Sequence, residues 1–278
     1  MPPKIIRKIS DLRNEIASYK KASGTIGLIP TMGALHDGHL SLIRAAKKET
    51  DRQIVSIFVN PTQFGKKEDF AAYPRDEAQD AEQLKDIDIL FAPSIEEMYP
   101  KNFDTKIEVG ELGNYLCGPH RAGHFSGVAT IVTKLLLQAL PDAAYFGEKD
   151  YQQLQIIRKL VKDLDIPVKI KGAPTLREKD GLAMSSRNIY LSSDERQTAA
   201  HLPKVLQETL AQIKKGVPID ETLEQARQNL LSLGFGPIDY IELADSETLQ
   251  PVKNLNRPSR LFAALYLGHT RLIDNWPL

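Results

Sequence analysis

The chain has 278 residues, 42% of them hydrophobic, and Lys plus Arg equals Asp plus Glu at 36 each, so its formal charge is zero. That length buries one large core or two moderate ones, and the lack of a basic surplus argues against nucleic acid or an anionic membrane as partner. Cys117 is the single cysteine, which excludes an intramolecular disulfide and any cysteine-cluster metal site and fits a reducing compartment. The residues up to Lys21 are mixed and polar, and no run approaches the ~20 apolar residues of a membrane span, so a soluble cytoplasmic protein is expected.

Strand-like and helix-like patterns alternate through the first 170 or so positions. Strands are predicted at 25–29, 54–59, 87–91, 143–146 and 168–171, each bounded by Gly, Pro, Asn or Asp. Between them, Val128, Ile131, Val132, Leu135, Leu136 and Ala139 recur with helical spacing, as do Leu154, Ile157, Leu160, Val161 and Leu164. This alternation predicts crossover units and a mainly parallel sheet, with ligands at the carboxyl ends of the strands. After Pro174 the pattern changes. Ser192 and Glu195 form a capping-box pair opening one long helix that ends near Gly216, a second helix runs from about Asp220 to Leu233, and strands follow at 238–243 and 260–267. The expectation is an α/β domain over residues 1–174, followed by a smaller α+β C-terminal domain over 175–278.

Four polar segments fall at predicted strand ends. In Pro30-Thr31-Met32-Gly33-Ala34-Leu35-His36-Asp37-Gly38-His39, an H-x-G-H pair sits where an apolar strand gives way to an amphipathic helix. Outward-pointing amides at such a helix start, with two imidazoles beside them, suit the charge of a transferring phosphoryl group. An isolated pair of histidines satisfies a turn about as often, given the false-positive rate of short motifs. At Asn60-Pro61-Thr62-Gln63 the strand stops in a turn that delivers a neutral amide; Gln63 reads either as a ligand contact or as a loop amide facing water. Gly147-Glu148-Lys149-Asp150 precedes Gln152 and Gln153 in the first turn of a helix, and Lys149 there is a mobile point charge for phosphate or an ordinary charged helix start. The segment from Asp180 to Asn188 packs Ser185, Ser186 and Arg187 together, as a triphosphate loop or a serine-rich turn.

Taken together, PTMGALHDGH, FVNPTQF, YPRD, FAPSIEEMYP, GHFSGV, FGEKDYQQL, DGLAMSSRN and RLIDN, spread from Pro30 to Asn275, closely resemble the pantothenate synthetase (pantoate–β-alanine ligase) family of the cytidylyltransferase-like nucleotidyltransferase superfamily. The resemblance implies a Rossmann-like catalytic domain over 1–174 that binds ATP and pantoate. It also implies a C-terminal domain carrying the Met-Ser-Ser-Arg loop at its start. The implied reaction joins (R)-pantoate to β-alanine, with ATP cleaved to AMP and pyrophosphate through a pantoyl adenylate. Met32, Gly33, Ala34, Leu35, His36, Asp37, Gly38 and His39 match the ATP signature, with His39 as proton donor and His36 assisting at the phosphates. Gly147, Glu148, Lys149 and Asp150, together with Met184, Ser185, Ser186 and Arg187, match further ATP segments, Lys149 and Arg187 acting in catalysis; the Leu176 backbone is expected to face adenine. Gln63 and Gln153 match the pantoate amides. The family also implies magnesium arriving with ATP, with Asp80 a possible outer-shell ligand, and a homodimer. Two rivals stand beside this reading. A nucleotidyltransferase acting on a phosphate monoester would want cations where this chain offers Gln63 and Gln153, and a non-catalytic nucleotide sensor would have little use for His36, His39, Lys149 and Arg187.

Overall fold

The computed structural model describes residues 2–66 and 68–278. Among the described residues the elements run β1 (Lys4–Ile6), α1 (Ile9–Lys21), β2 (Ile26–Thr31), α2 (Asp37–Glu49), β3 (Arg52–Ile57), α3 (Glu77–Gln83), β4 (Ile89–Phe91), α4 (Ile95–Met98), α5 (His124–Ala139), β5 (Ala143–Gly147), α6 (Tyr151–Asp163) and β6 (Lys169–Ala173). They continue with α7 (Ser193–Ala199), α8 (His201–Lys214), α9 (Ile219–Ser232), β7 (Ile238–Asp245), β8 (Ser259–Leu267) and β9 (Thr270–Pro277). Contacts divide the chain into two compact units. The first comprises Met1–Gly110, Arg121–Glu148 and Gln153–Pro174; the second comprises Glu111–His120, Lys149–Gln152 and Thr175–Leu278.

The first unit is built on a six-stranded sheet of order β1-β4-β3-β2-β5-β6, with every pair parallel. Because strand side chains alternate, both faces of a covered sheet are apolar. Leu28, Ile54, Ala144 and Phe146 lie in one core with the apolar stripe of α5, whereas Ile29, Val55, Leu90 and Tyr145 lie in another with Leu42 and Ile43 of α2. All six residues of the expected 128–139 stripe are in the first of these cores. Chain order reverses at β2, which is flanked by β3 on one side and β5 on the other. The β2–β5 register covers only Gly27/Ala143 and Leu28/Ala144, so the ladder ends before the carboxyl ends of both strands. A crevice at such a switch point is where open α/β sheets take their ligands. The residues leaving β2 and β5 there are Met32 and Glu148.

The second unit has a three-stranded antiparallel sheet, β7-β8-β9, whose Leu243, Leu261, Ala263 and Leu265 pack with Leu202, Leu206 and Leu210 of α8 and Leu230 of α9. Cys117 is buried in this unit with its sulfur 3.0 Å from the Tyr240 hydroxyl, a packed thiol as its residue type favours.

Each of the seven expected strands forms, and the α/β-then-α+β order holds. Four details differ. The expected helix over 192–216 opens on the Ser192/Glu195 capping box but is two helices. Pro203 has no N–H for the carbonyl of Ala199 and its ring crowds that carbonyl, so the chain breaks at Ala200 and restarts. Leu164 lies past the end of α6 and is exposed instead of continuing its apolar face. The strands β1 and β9 went unanticipated. The first is only three residues long. In the second, Asp274 and Asn275 are buried where an apolar alternation would have announced a strand.

Candidate active site

The turn from β2 into α2 is shaped by two left-handed residues, Gly33 at φ +81° and Ala34 at φ +49°. A Cβ at Gly33 would stand 2.9 Å from Asp80 Oδ2 and 3.1 Å from Ile57 Cγ2, so glycine is required there for space as well as for conformation. Asp80, on α3 and 2% exposed, accepts the Ala34 N–H at 3.0 Å on Oδ2 and the Leu35 N–H at 2.7 Å on Oδ1. Gln83, one turn on, donates to the Leu35 carbonyl at 3.3 Å. Asp80, expected as a possible outer-shell metal ligand, thus spends both oxygens on the loop backbone. Burial holds its carboxyl above the usual carboxylate range, a rise that the two amide hydrogen bonds oppose without cancelling.

The H-x-G-H histidines cap α2. The Gly38 N–H donates to His36 Nδ1 at 3.1 Å, and the His36 N–H donates to His39 Nδ1 at 3.3 Å, closing a reciprocal box built from imidazoles instead of Ser and Glu. A backbone N–H can only donate, so Nδ1 is the acceptor in both rings and each neutral imidazole carries its proton on Nε2. The rings lie against each other at a tilt of 38°, with centroids 4.1 Å apart. Turn satisfaction therefore accounts for Nδ1 of both histidines, and Nε2 is the donor nitrogen of each ring.

Gln63 is 8% exposed and is not a water-facing loop amide. It ends a 3-10 turn, Pro61–Gln63, capped by Asn60. Asn60 Nδ2 donates to the Gly127 carbonyl at 3.1 Å, which fixes that atom as nitrogen, so its second acceptor, 3.0 Å away, is Gln63 Oε1. Gln63 Nε2 then faces Met32 Sδ at 3.1 Å. The sequence reading missed the residues that support this turn. His124 Nδ1 donates to the Gln63 carbonyl at 2.8 Å, and Arg121, paired with Glu68 at 2.6 Å, donates to His124 Nε2 at 2.9 Å. The Tyr99 hydroxyl donates to Asn60 Oδ1 at 2.7 Å. The GHFSGV segment was the available signal, since Gly127 brings α5 against the turn: a Cβ there would lie 2.4 Å from Thr62 O and 2.7 Å from Gln63 Cα. Gln153 is half-buried at the third position of α6, and its neighbour Gln152 is the buried amide of the pair.

In the second unit, Lys149 lies in the 3-10 turn Glu148–Asp150 with its Nζ 3.7 Å from Asp150 Oδ1. Leu176 and Met184 come together, the Met184 N–H donating to the Leu176 carbonyl at 3.0 Å beside an antiparallel bridge between Arg177 and Ala183. Ser185 caps the turn Ser186–Tyr190 by accepting the Arg187 N–H at 3.3 Å, so its oxygen performs the turn role the sequence allowed. Arg196 braces the loop through Asp180 at 2.7 Å and Glu178 at 2.6 Å.

A parallel sheet whose switch point opens onto a helix capped by an H-x-G-H pair defines a Rossmann-like α/β protein. The pattern of the pantoate-beta-alanine ligase family matches residues 4–277, and the chain belongs to that family. Pantothenate synthetase of Paramagnetospirillum magneticum is 50% identical over 98% of this chain and 96% of its own length, and that of Sphingopyxis alaskensis is 51% identical over 99% of each. Among solved structures, pantothenate synthetase from Thermus thermophilus superposes with a TM-score of 0.92 at 41% identity over 98% of each chain. The pantoate-beta-alanine ligase of Francisella tularensis, complexed with beta-gamma ATP and beta-alanine, gives 0.85 at 40% identity over 99% of this chain and 97% of its own.

The packing of α5 on the Gln63 turn can be tested directly. Gly127→Ala must push the turn away from α5, and overpacking of this kind costs about 1–3 kcal/mol; urea unfolding measures it, and a loss under ~0.5 kcal/mol would show that the turn yields freely. For Asp80, folding raises the carboxyl, so the unfolded chain ionises first as pH rises. The wild type should lose stability relative to Asp80→Asn from about pH 3.9 up to the raised folded value and then level off. Urea midpoints at a series of pH values test the sign; a wild type that gains on the variant over that range would mean that the amide bonds outweigh burial.

Proposed function

We propose that this chain condenses (R)-pantoate with β-alanine to give (R)-pantothenate, cleaving ATP to AMP and pyrophosphate through an enzyme-bound pantoyl adenylate. The observation that carries the reading is the imidazole-capped start of α2 at the sheet's switch point, in the same unit as a buried, oriented glutamine. A carboxylate is a poor acyl donor, so its oxygen first attacks the α-phosphorus of ATP and pyrophosphate leaves. The β-alanine amine then attacks the acyl carbon and AMP leaves.

In this proposal His39 donates from Nε2 to charge that develops during adenylation, and His36 assists at the phosphates. Met32, Gly33, Ala34, Leu35, Asp37 and Gly38 shape the nucleotide loop. Lys149 and Arg187 neutralise phosphate oxygens, with Gly147, Glu148, Asp150, Met184, Ser185 and Ser186 in supporting ATP contacts, and the Leu176 backbone meets adenine. Donors pre-placed where charge develops are worth about 2.7–4 kcal/mol each. Gln63 and Gln153 hold pantoate. Neutral amides suit that role, because an arginine clamped on the attacking carboxylate would stabilise it in its ground state. Magnesium is taken to arrive with ATP, ligated mainly by phosphate oxygens and water; among the described residues no three His, Cys, Asp or Glu side chains group to hold a metal ion. A homodimer in the cytoplasm completes the proposal, on family membership; among the described residues no helix is long and apolar enough to cross a membrane.

The deciding experiment is exchange of labelled pyrophosphate into ATP. We expect exchange that requires pantoate and proceeds without β-alanine; an absolute requirement for β-alanine would overturn the two-step order. Specificity is tested at Gln153→Ala. Its Michaelis constant for pantoate should rise about tenfold, as expected for a lost hydrogen bond with some stranding of its partner, while that for β-alanine stays within a few-fold. An unchanged pantoate constant in a folded variant removes Gln153 from the substrate site.

A further inference from the structure

The RLIDN segment, which the proposed chemistry leaves without a role, is in β9 of the second unit. Asp274 and Asn275 are consecutive there and only 2% and 3% exposed. Successive strand side chains point to opposite faces, so the two address different neighbours. Asn275 Nδ2 donates to the carbonyl of Lys149 at 2.9 Å, and Asn275 Oδ1 accepts from Arg260, whose guanidinium lies 3.9 Å over the Tyr151 ring. Asp274 takes both arms of Arg177 at 2.8 and 2.9 Å. Arg177 in turn packs 3.7 Å over Trp276 and donates to the Gly181 carbonyl at 3.0 Å. One dipeptide of β9 therefore holds the backbone of Lys149 and, through Arg177, the loop leading to Ser185.

Apolar residues would serve the sheet at these two places at least as well, since burying polar groups brings no net gain in stability over hydrophobic packing. What the polar pair adds is position. A four-carbon side chain delivers its charge accurately only when its Cα is fixed, and the Asn275 amide fixes the carbonyl at the centre of the Glu148–Asp150 turn.

We propose that Asn275 is a positioning residue for Lys149: its side-chain amide, locked by Arg260, sets the turn from which the Lys149 ammonium acts on phosphate. The inference rests on the role proposed for Lys149 above. The test is a double-variant cycle on the whole enzyme, reading single-turnover adenylate formation, the ATP dissociation constant and thermal unfolding. Asn275→Asp is the informative change, being isosteric and still accepting from Arg260 while facing the Lys149 carbonyl with an oxygen. Lys149→Ala should slow adenylation by about a hundredfold or more. Asn275→Asp should slow it about tenfold, the consequence of one lost hydrogen bond, with ATP affinity held within about threefold. In Lys149→Ala, adding Asn275→Asp should change the rate by less than about twofold, because residues acting as a unit are not additive. Full rate in Asn275→Asp, or two effects that multiply in the double variant, overturns the inference while leaving the role of Lys149 intact. Near-normal adenylation by Lys149→Ala alone overturns that role and the inference with it. Asn275→Ala is carried through the same cycle, so that a misfolded Asp variant still leaves a reading.

Discussion

The start of α2 is the part of the candidate site on which the rest of its geometry depends, and its difficulty is one of unpaired donors. A strand running directly into a helix through two left-handed residues leaves the amides of the turn and of the first helical turn without intrahelical partners. Placing Ala34 in the left-handed region costs about 1–2 kcal/mol. Asp80 offsets this by taking the Ala34 and Leu35 amides, and the two imidazoles take the Gly38 and His36 amides. Those same imidazole contacts settle which nitrogen of each ring carries the proton. Loop shape and imidazole tautomer thus have a single origin in the demand of these amides for acceptors, and the turn that presents them is held by a carboxylate 45 residues beyond Leu35, on α3.

Much of the fold was legible because its elements are dictated by period. The α5 stripe fills the core residue for residue, and the switch from strand–helix alternation to a helix–helix–strand order marks two different sheets. The failures also have physical causes. A capping box announces where a helix starts, and Ser192 and Glu195 did so, but where it stops depended on the clash of Pro203 with the turn before it. The strand β9 was hidden because its buried positions carry Asp274 and Asn275, whose partners Arg177 and Lys149 lie 97 and 126 residues away. Local pattern cannot announce a buried polar residue whose justification is distant.

The candidate site divides in the same way. His36 and His39 were readable from their spacing and from the strand before and helix after, since helix starts gather donors. Gln63 was readable as a residue but not as an environment; only tertiary contacts with His124 and Gly127 show it buried and held. Asp80 was readable as an acid near the nucleotide loop but not as a loop clamp. At 2% exposure both its oxygens accept backbone amides, from partners more than forty residues earlier that no local pattern announces.

Gln63 shows how such a site is kept ready. Its carbonyl oxygen is committed to Asn60, which is itself fixed by Gly127, Thr62 and Tyr99, so the amide plane has little freedom left. Its nitrogen, by contrast, faces a thioether, one of the weakest acceptors in a protein. In the role proposed for Gln63, a substrate hydroxyl or carboxylate displacing Met32 there would exchange a poor hydrogen bond for a good one without reorienting the amide. The ordering cost of the amide is met as the turn folds against α5, and the side chain that would yield is methionine, flexible enough to repack elsewhere. A glutamine held between two strong acceptors would gain nothing by binding, and one facing water would have to be ordered first.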